Sequence, residues 1–347
     1  MNVRTAAVCL LMLPFGAQAQ GFAGLGNSAQ DGFATPSAQT VMQFPRDHGA
    51  HPDYRIEWWY VTANLQGPDG TQYGLQWTLF RNALAPYEAA GWQSPQLWMG
   101  HAAITTPSAH YVAERLARGG IGQAGVTADP FDAWIDDWTM AGPELTALRL
   151  KAAGTDFAYD MALTAQGPLV LHGQAGYSVK SAEGQASYYY SQPFYDIKGM
   201  LHLPSGDIAV TGKAWLDREW SSQPLAPDQT GWDWFSLSFD SGAKLMGFVL
   251  RGDSDYTSAT WIAPNGQATP LPDGAFTASP LGTHRVAGRD MPVKWRMQLP
   301  SQGVDVTVSA VNNDAWMATS VPYWEGPVTV QGSDTGVGYL EMTGYAN

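Results

Sequence analysis

Arg55-Ile56-Glu57-Trp58-Trp59-Tyr60-Val61-Thr62-Ala63-Asn64-Leu65 is the stretch that decides the fold. Aromatic and β-branched side chains crowd the preceding turn of a helix but stand freely on a pleated surface, so it reads as a strand. Neither Gly nor Pro interrupts it. Strand side chains alternate faces, which groups Glu57 with Trp59, Val61 and Leu65 and sets an acid among apolar neighbours.

The same texture recurs at 72–81, 159–165, 207–220, 232–239, 244–251, 304–310 and 338–345. Turn sequences such as Pro68-Asp69-Gly70, Asp240-Ser241-Gly242 and Pro264-Asn265-Gly266 separate these segments, and 38 Gly and 23 Pro are scattered without period. An all-β protein is predicted. One helix is expected, over 108–118, with Ser108 as cap and Tyr111, Val112 and Leu116 along one side.

Composition narrows the partners. The chain carries 15 Trp, 15 Tyr and 12 Phe, while charged residues make up only 14%, against roughly 25% in an ordinary domain. A net charge of −13 repels phosphates, so nucleic acid and anionic lipid surfaces are poor partners. No apolar run is long enough to span a membrane as a helix. At the start, Arg4, the apolar run 5–15 and Ala17-Gln18-Ala19 read as a signal peptide (1–19) cut after Ala19, which predicts a periplasmic or secreted protein. The single cysteine, Cys9, falls inside that segment, so no disulfide is expected. Residues 20–40 read as a flexible leader. Pro224 and Pro227 then divide a first domain, 41–223, from a second, 228–347.

Alternation also locates candidate chemistry. On 213–219 it puts Trp215, Asp217 and Glu219 on one face, the two carboxylates about 7 Å apart by strand rise. On 232–239 Asp233 goes with Phe235, Leu237 and Phe239, while Trp232 and Trp234 point the other way. A buried carboxyl without a cation keeps its proton near neutrality and can serve as a general acid. Among indoles it could protonate an alkene, each ring face stabilising the carbocation by roughly 1–2 kcal/mol in a dry site. The same acids held by Arg218, Lys213 or tyrosine hydroxyls would be purely structural. Candidate catalytic residues are Asp217, Glu219, Glu57 and His101. Candidate ligand contacts are Trp59, Trp215, Trp220, Trp232, Trp234, Asp233, Tyr189 and Tyr190. His48 and His51 could begin a zinc or iron site if His101 joined them, or simply cap a loop before Pro52. No metal or cofactor is assigned. Gly-x-Ser-x-Gly, His-Glu-x-x-His and Walker motifs are absent from the sequence.

Several motifs together resemble a known family. Phe44-Pro45-Arg46-Asp47-His48-Gly49, Glu57-Trp58-Trp59-Tyr60-Val61-Thr62, Ala214-Trp215-Leu216-Asp217-Arg218-Glu219-Trp220-Ser221, Gly231-Trp232-Asp233-Trp234-Phe235 and Tyr323-Trp324-Glu325-Gly326 occur in that order. They are similar to the lipocalin-like family that groups AttH-type secreted proteins with carotenoid 1,2-hydratases (CrtC). The resemblance implies two tandem lipocalin-like (calycin-type) antiparallel β-barrels, with hydrophobic ligand space in or between them. It also implies two functions. One is a secreted protein that binds a lipid- or isoprenoid-like molecule in the company of an ABC export system. The other is an acid-catalysed hydratase or isomerase of an isoprenoid alkene, as in the branch that adds water to an acyclic carotenoid.

Overall fold

A computed structural model describes residues 32–345. The expected signal peptide, 1–19, and the leader as far as residue 31 lie outside the described residues. The chain forms two antiparallel, barrel-like sheets, and no α-helix occurs among the described residues.

The first sheet has 13 strands. Its path runs His110–Arg118, Gln96–Thr105, Gln72–Ala83, Ile56–Gln66, Gly206–Ser221, Ala186–Leu203, Ala158–Ala165, Ala147–Ala153, Trp138–Glu144, Phe131–Ile135 and Ala124–Ala128. Val170–Leu171 and Tyr177–Val179 pair with Ala186–Leu203 beside this path. The second sheet has 10 strands, ordered Ala268–Leu271, Tyr256–Ile262, Lys244–Arg251, Gly231–Phe239, Gly336–Met342, Tyr323–Gly332, Val304–Ala310, Arg289–Leu299 and Thr277–Val286, with Trp316–Met317 on Tyr323–Gly332. Alternation gives each sheet an inner face of large side chains. Trp59, Trp77, Phe131, Trp138 and Met161 fill the first interior, and Phe235, Trp295, Met297 and Trp324 the second. A third cluster, containing Tyr60, Tyr189, Trp215, Trp232, Trp234 and Phe248, is made where the outer faces of the two sheets meet.

That meeting is close. A Cβ on Gly74 would stand 2.5 Å from Pro327 Cδ and 2.8 Å from the Tyr339 hydroxyl, so only glycine lets the Gln72–Ala83 strand approach the second sheet. Asn64 Nδ2 donates across the seam to the Gly338 carbonyl at 2.8 Å.

Two expectations are corrected. The helix predicted over 108–118 is the edge strand His110–Arg118, paired from Thr105↔His110 to Leu97↔Arg118. Its Ala, Leu, Arg and Glu favour helix locally, but the neighbouring strand presents a row of backbone donors and acceptors that only pairing satisfies. The end of the supposed flexible leader is fastened to the first sheet. Ala34 N donates to the Asp53 carbonyl at 2.9 Å, Ser37 N to the Tyr188 hydroxyl at 2.8 Å, and Ser222 Oγ to the Ala34 carbonyl at 2.5 Å.

Candidate functional site

Residues directly opposite in an antiparallel pair share a face, so the strand registers assemble the site row by row. On the outer face of the first sheet one row reads Phe80, Trp58, Glu219, Tyr189 across four strands, and the next reads Thr78, Tyr60, Asp217, Ser191. On the second sheet the facing row is Glu325, Glu341, Trp234, Phe248. Between them lies a cleft whose walls include Trp58, Phe80, Asp217, Trp232, Trp234 and Glu341. It takes in about 510 Å³ of free space that includes open solvent, and only about 30 Å³ of it is wide enough for a water centre, so a larger ligand has to enter by displacing side chains of the walls.

Asp217 is 2% exposed, and its two oxygens are unequal. Oδ1 accepts from Tyr189 Oη at 2.7 Å, Trp215 Nε1 at 2.9 Å and the Ser191 hydroxyl, whereas Oδ2 has no partner. Burial pushes the carboxyl up to about 7 despite those three donors, with Glu219 adding to the rise. Oδ2, which no donor reaches, is the oxygen left to carry the proton when the carboxyl is neutral.

Behind Asp217 runs a chain of hydrogen bonds whose direction is assigned from the Ser191 hydroxyl. Ser191 donates to Asp217, so its oxygen accepts from His172 Nε2 at 2.6 Å, and His172 Nδ1 accepts from Thr260 Oγ1 at 3.0 Å. Burial, reinforced by Lys180, holds the His172 imidazole well below its usual range and hence neutral. The order Asp–Ser–His is not that of a nucleophilic triad, because the imidazole never reaches the carboxylate. Its effect is to sharpen the Ser191 donor. His172→Ala is expected to raise the Asp217 titration midpoint by about half a unit, read from the carboxyl ¹³C shift.

Glu219 has a cation after all: Lys180 Nζ lies 3.0 Å from its Oε1, and Ser187 donates to the same oxygen. Neither sequence candidate supplies it. Arg218 lies on the other face with Glu57, and Lys213 pairs with Asp196 at the surface. On the second sheet, Glu341 Oε1 accepts from Trp232 Nε1 at 2.9 Å, and burial pushes Glu341 up to about 7, with Asp217 and Glu219 adding to it. Glu325, directly opposite Glu341, accepts from the Tyr60 hydroxyl, and burial beside Glu341 raises it well above its usual range. Sequence reasoning missed Glu325, Glu341, Lys180 and His172. The Tyr323-Trp324-Glu325-Gly326 motif and the 338–345 strand were visible, but which face of each meets the first sheet depends on sheet packing.

The remaining candidates lie elsewhere. Glu57 and Trp59 face into the first barrel, away from the cleft. Burial favours a neutral Glu57, but Arg81 and Arg218 outweigh it and hold the carboxyl well below its usual range, so Glu57 is no general acid. Trp220 stacks on His51 at 4.1 Å and Tyr190 bonds His48 at 2.7 Å, both on that inner side. Asp233 is paired with Arg251 and accepts from Tyr345 within the second barrel. His101 sits one layer behind the cleft, between the Tyr323 hydroxyl at 3.0 Å and Glu114 at 3.2 Å, and burial lowers its pKa. His51 is occupied by Glu57 and Asp47, at 3.2 and 3.5 Å. Trp232, Trp234, Tyr189, Asp217 and Glu219 line the cleft, and Trp215 stands behind it as a donor to Asp217.

Comparison with known proteins agrees with this architecture. A family model described as AttH-like matches residues 35–345. Among solved structures the chain is similar to a protein assigned as AttH from Nitrosomonas europaea, at 34% identity over 90% of this chain and 100% of that one, with a TM-score of 0.80. It is also similar to kievitone hydratase from Nectria haematococca (17% identity, 91% and 97% of the two chains, TM-score 0.69) and to CghA with Sch210972 (13% identity, 91% and 97%, TM-score 0.53). These last two likenesses are of fold alone. No curated protein matches the chain.

Proposed function

From a chain that belongs to the AttH-like family, with its lipocalin-like fold, we propose a site that protonates an electron-rich alkene of an apolar small molecule and lets water add to the resulting cation. The observation that carries this reading is the buried Asp217 carboxyl, with three donors on one oxygen and no partner on the other, in the wall of an aromatic cleft. Oδ2–H gives its proton to the less substituted alkene carbon, whose π pair forms the new C–H bond. The carboxylate left behind is already held by Tyr189, Trp215 and Ser191, so the charge appears where donors wait for it. The positive carbon faces the rings of Trp58 and Trp234, and water attacks it. The proton of that water returns to Asp217, giving alcohol from alkene plus water. A fold shared with a hydratase supports this reading.

The carrier reading uses the same aromatic lining to hold an isoprenoid- or lipid-like molecule without turnover. Periplasmic placement and an ABC transporter partner belong to it and rest on residues 1–19 and the family resemblance. The two readings separate in H₂¹⁸O. Incubated with acyclic isoprenoid alkenes, the protein is expected to yield an alcohol carrying solvent oxygen, and Asp217→Asn is expected to lose that activity by about 10²–10⁴-fold while staying folded. Binding of the same alkenes with no ¹⁸O product would leave the carrier. Full activity in Asp217→Asn would remove the assigned acid.

A further inference from the structure

Resting on that reading and extending it to a ligand class, we propose that the cleft is a receptor for organic cations, ammonium groups with small apolar substituents. Such a group is the stable counterpart of the charge that protonation places on an alkene carbon.

The first argument is that the aromatic walls already hold a cation. Lys180 Nζ stands 4.0 Å from the Phe248 ring centroid and 4.7 Å from that of Tyr189. The second is charge balance. Asp217, Glu219, Glu325 and Glu341 converge on the seam, yet among the described residues only Glu219 is ion-paired, with Lys180. Asp217 adds an unpartnered oxygen in a residue that is 2% exposed. An anion would meet carboxyls here, and that oxygen is left without a partner until a ligand supplies one. A cation satisfies both demands when it displaces a carboxyl proton. Around the group, burial raises the phenols of Tyr60, Tyr189 and Tyr323 well above their usual range and lowers the Lys180 ammonium, and His172 is held neutral behind Ser191.

The test compares choline with 3,3-dimethylbutan-1-ol, which differ only in N⁺ for C, using the full chain with calorimetry and Trp fluorescence. Choline is expected to bind at least tenfold more tightly than the alcohol at pH 8. It should bind more weakly at pH 6, where about one proton is released per choline bound. Asp217→Asn and Glu341→Gln should each weaken it several-fold, and 0.5 M NaCl should change it by less than twofold because a buried pair is little screened. Equal affinity for choline and the alcohol overturns the proposal. So does choline binding that survives both substitutions and vanishes in salt, which marks adherence to a surface of net charge −13. Should either variant fail to fold, the isostere comparison and proton release are read on the unaltered protein. Choline selectivity without ¹⁸O incorporation keeps the receptor and sinks the hydration reading, and hydration without selectivity does the reverse.

Discussion

Glu57→Gln is expected to destabilise the first barrel by about 3–5 kcal/mol, seen as a lower urea midpoint with little change in slope. Arg81 and Arg218 both donate to this carboxylate, and all three side chains are fully buried. The His51 backbone N–H donates to it as well, at 2.9 Å. Glutamine fills the space but supplies no charge, so two guanidiniums stay in the interior without an anion. The loss spreads because the same arginines fasten the preceding segment. Arg81 donates to the His51 and Tyr54 carbonyls at 2.7 and 2.8 Å, and Arg218 lies 3.8 Å from the Trp59 ring while reaching Gly49. The pH dependence has a definite sign. Because the folded carboxyl lies below its usual range, its contribution is complete above about pH 4.5 and is lost as pH falls further. The unaltered protein should weaken steeply in acid and Glu57→Gln much less. A variant within 1 kcal/mol of the parent would mean that the two guanidiniums do not depend on this carboxylate.

Glu57 also shows where sequence reading stops. Alternation correctly groups it with Trp59 and Val61, and a period of two is easily read where each strand has one face in a barrel and one on the seam. What the pattern cannot supply is the counter-ion, since Arg81 and Arg218 stand 24 and 161 residues away. The Asp217–Glu219 face was legible for the same reason, and the different partners that hold its two acids were not. Lys180 comes from an irregular stretch before Ala186–Leu203, and His172 follows the two-residue strand Val170–Leu171. Nothing local marks either one. The 108–118 segment failed in the other direction: its local preference for helix was real and was overridden by an open strand edge. Family resemblance carried the two-barrel fold, whereas the cleft emerged only from the registers that align Tyr60 with Asp217 and Glu341 with Trp234.

Asp217→Asn should make the protein more stable at pH 8 while abolishing its proposed chemistry. A carboxyl raised to about 7 by burial binds its proton more tightly folded than unfolded, where 3.8 applies. Its contribution is therefore complete below about pH 4 and is lost as pH rises through 7. At about 1.4 kcal/mol per unit, the rise allows up to roughly 4 kcal/mol, and Glu341, raised from 4.5 to about 7, acts in the same window and sign. Asparagine stays neutral at every pH and can keep its oxygen as acceptor for Tyr189, Trp215 and Ser191. The variant should match the parent at pH 4 and exceed it by about 2–4 kcal/mol at pH 8 in urea melts. This window lies above the acid limb governed by Glu57, so the two carboxyls can be followed in one protein. Stability gained where turnover is lost is what a strained, proton-holding acid requires, since a group kept for packing would lose stability when altered. Equal pH profiles for parent and variant between pH 4 and 8 would show that Asp217 is ionised in the cleft, leaving no proton there to give.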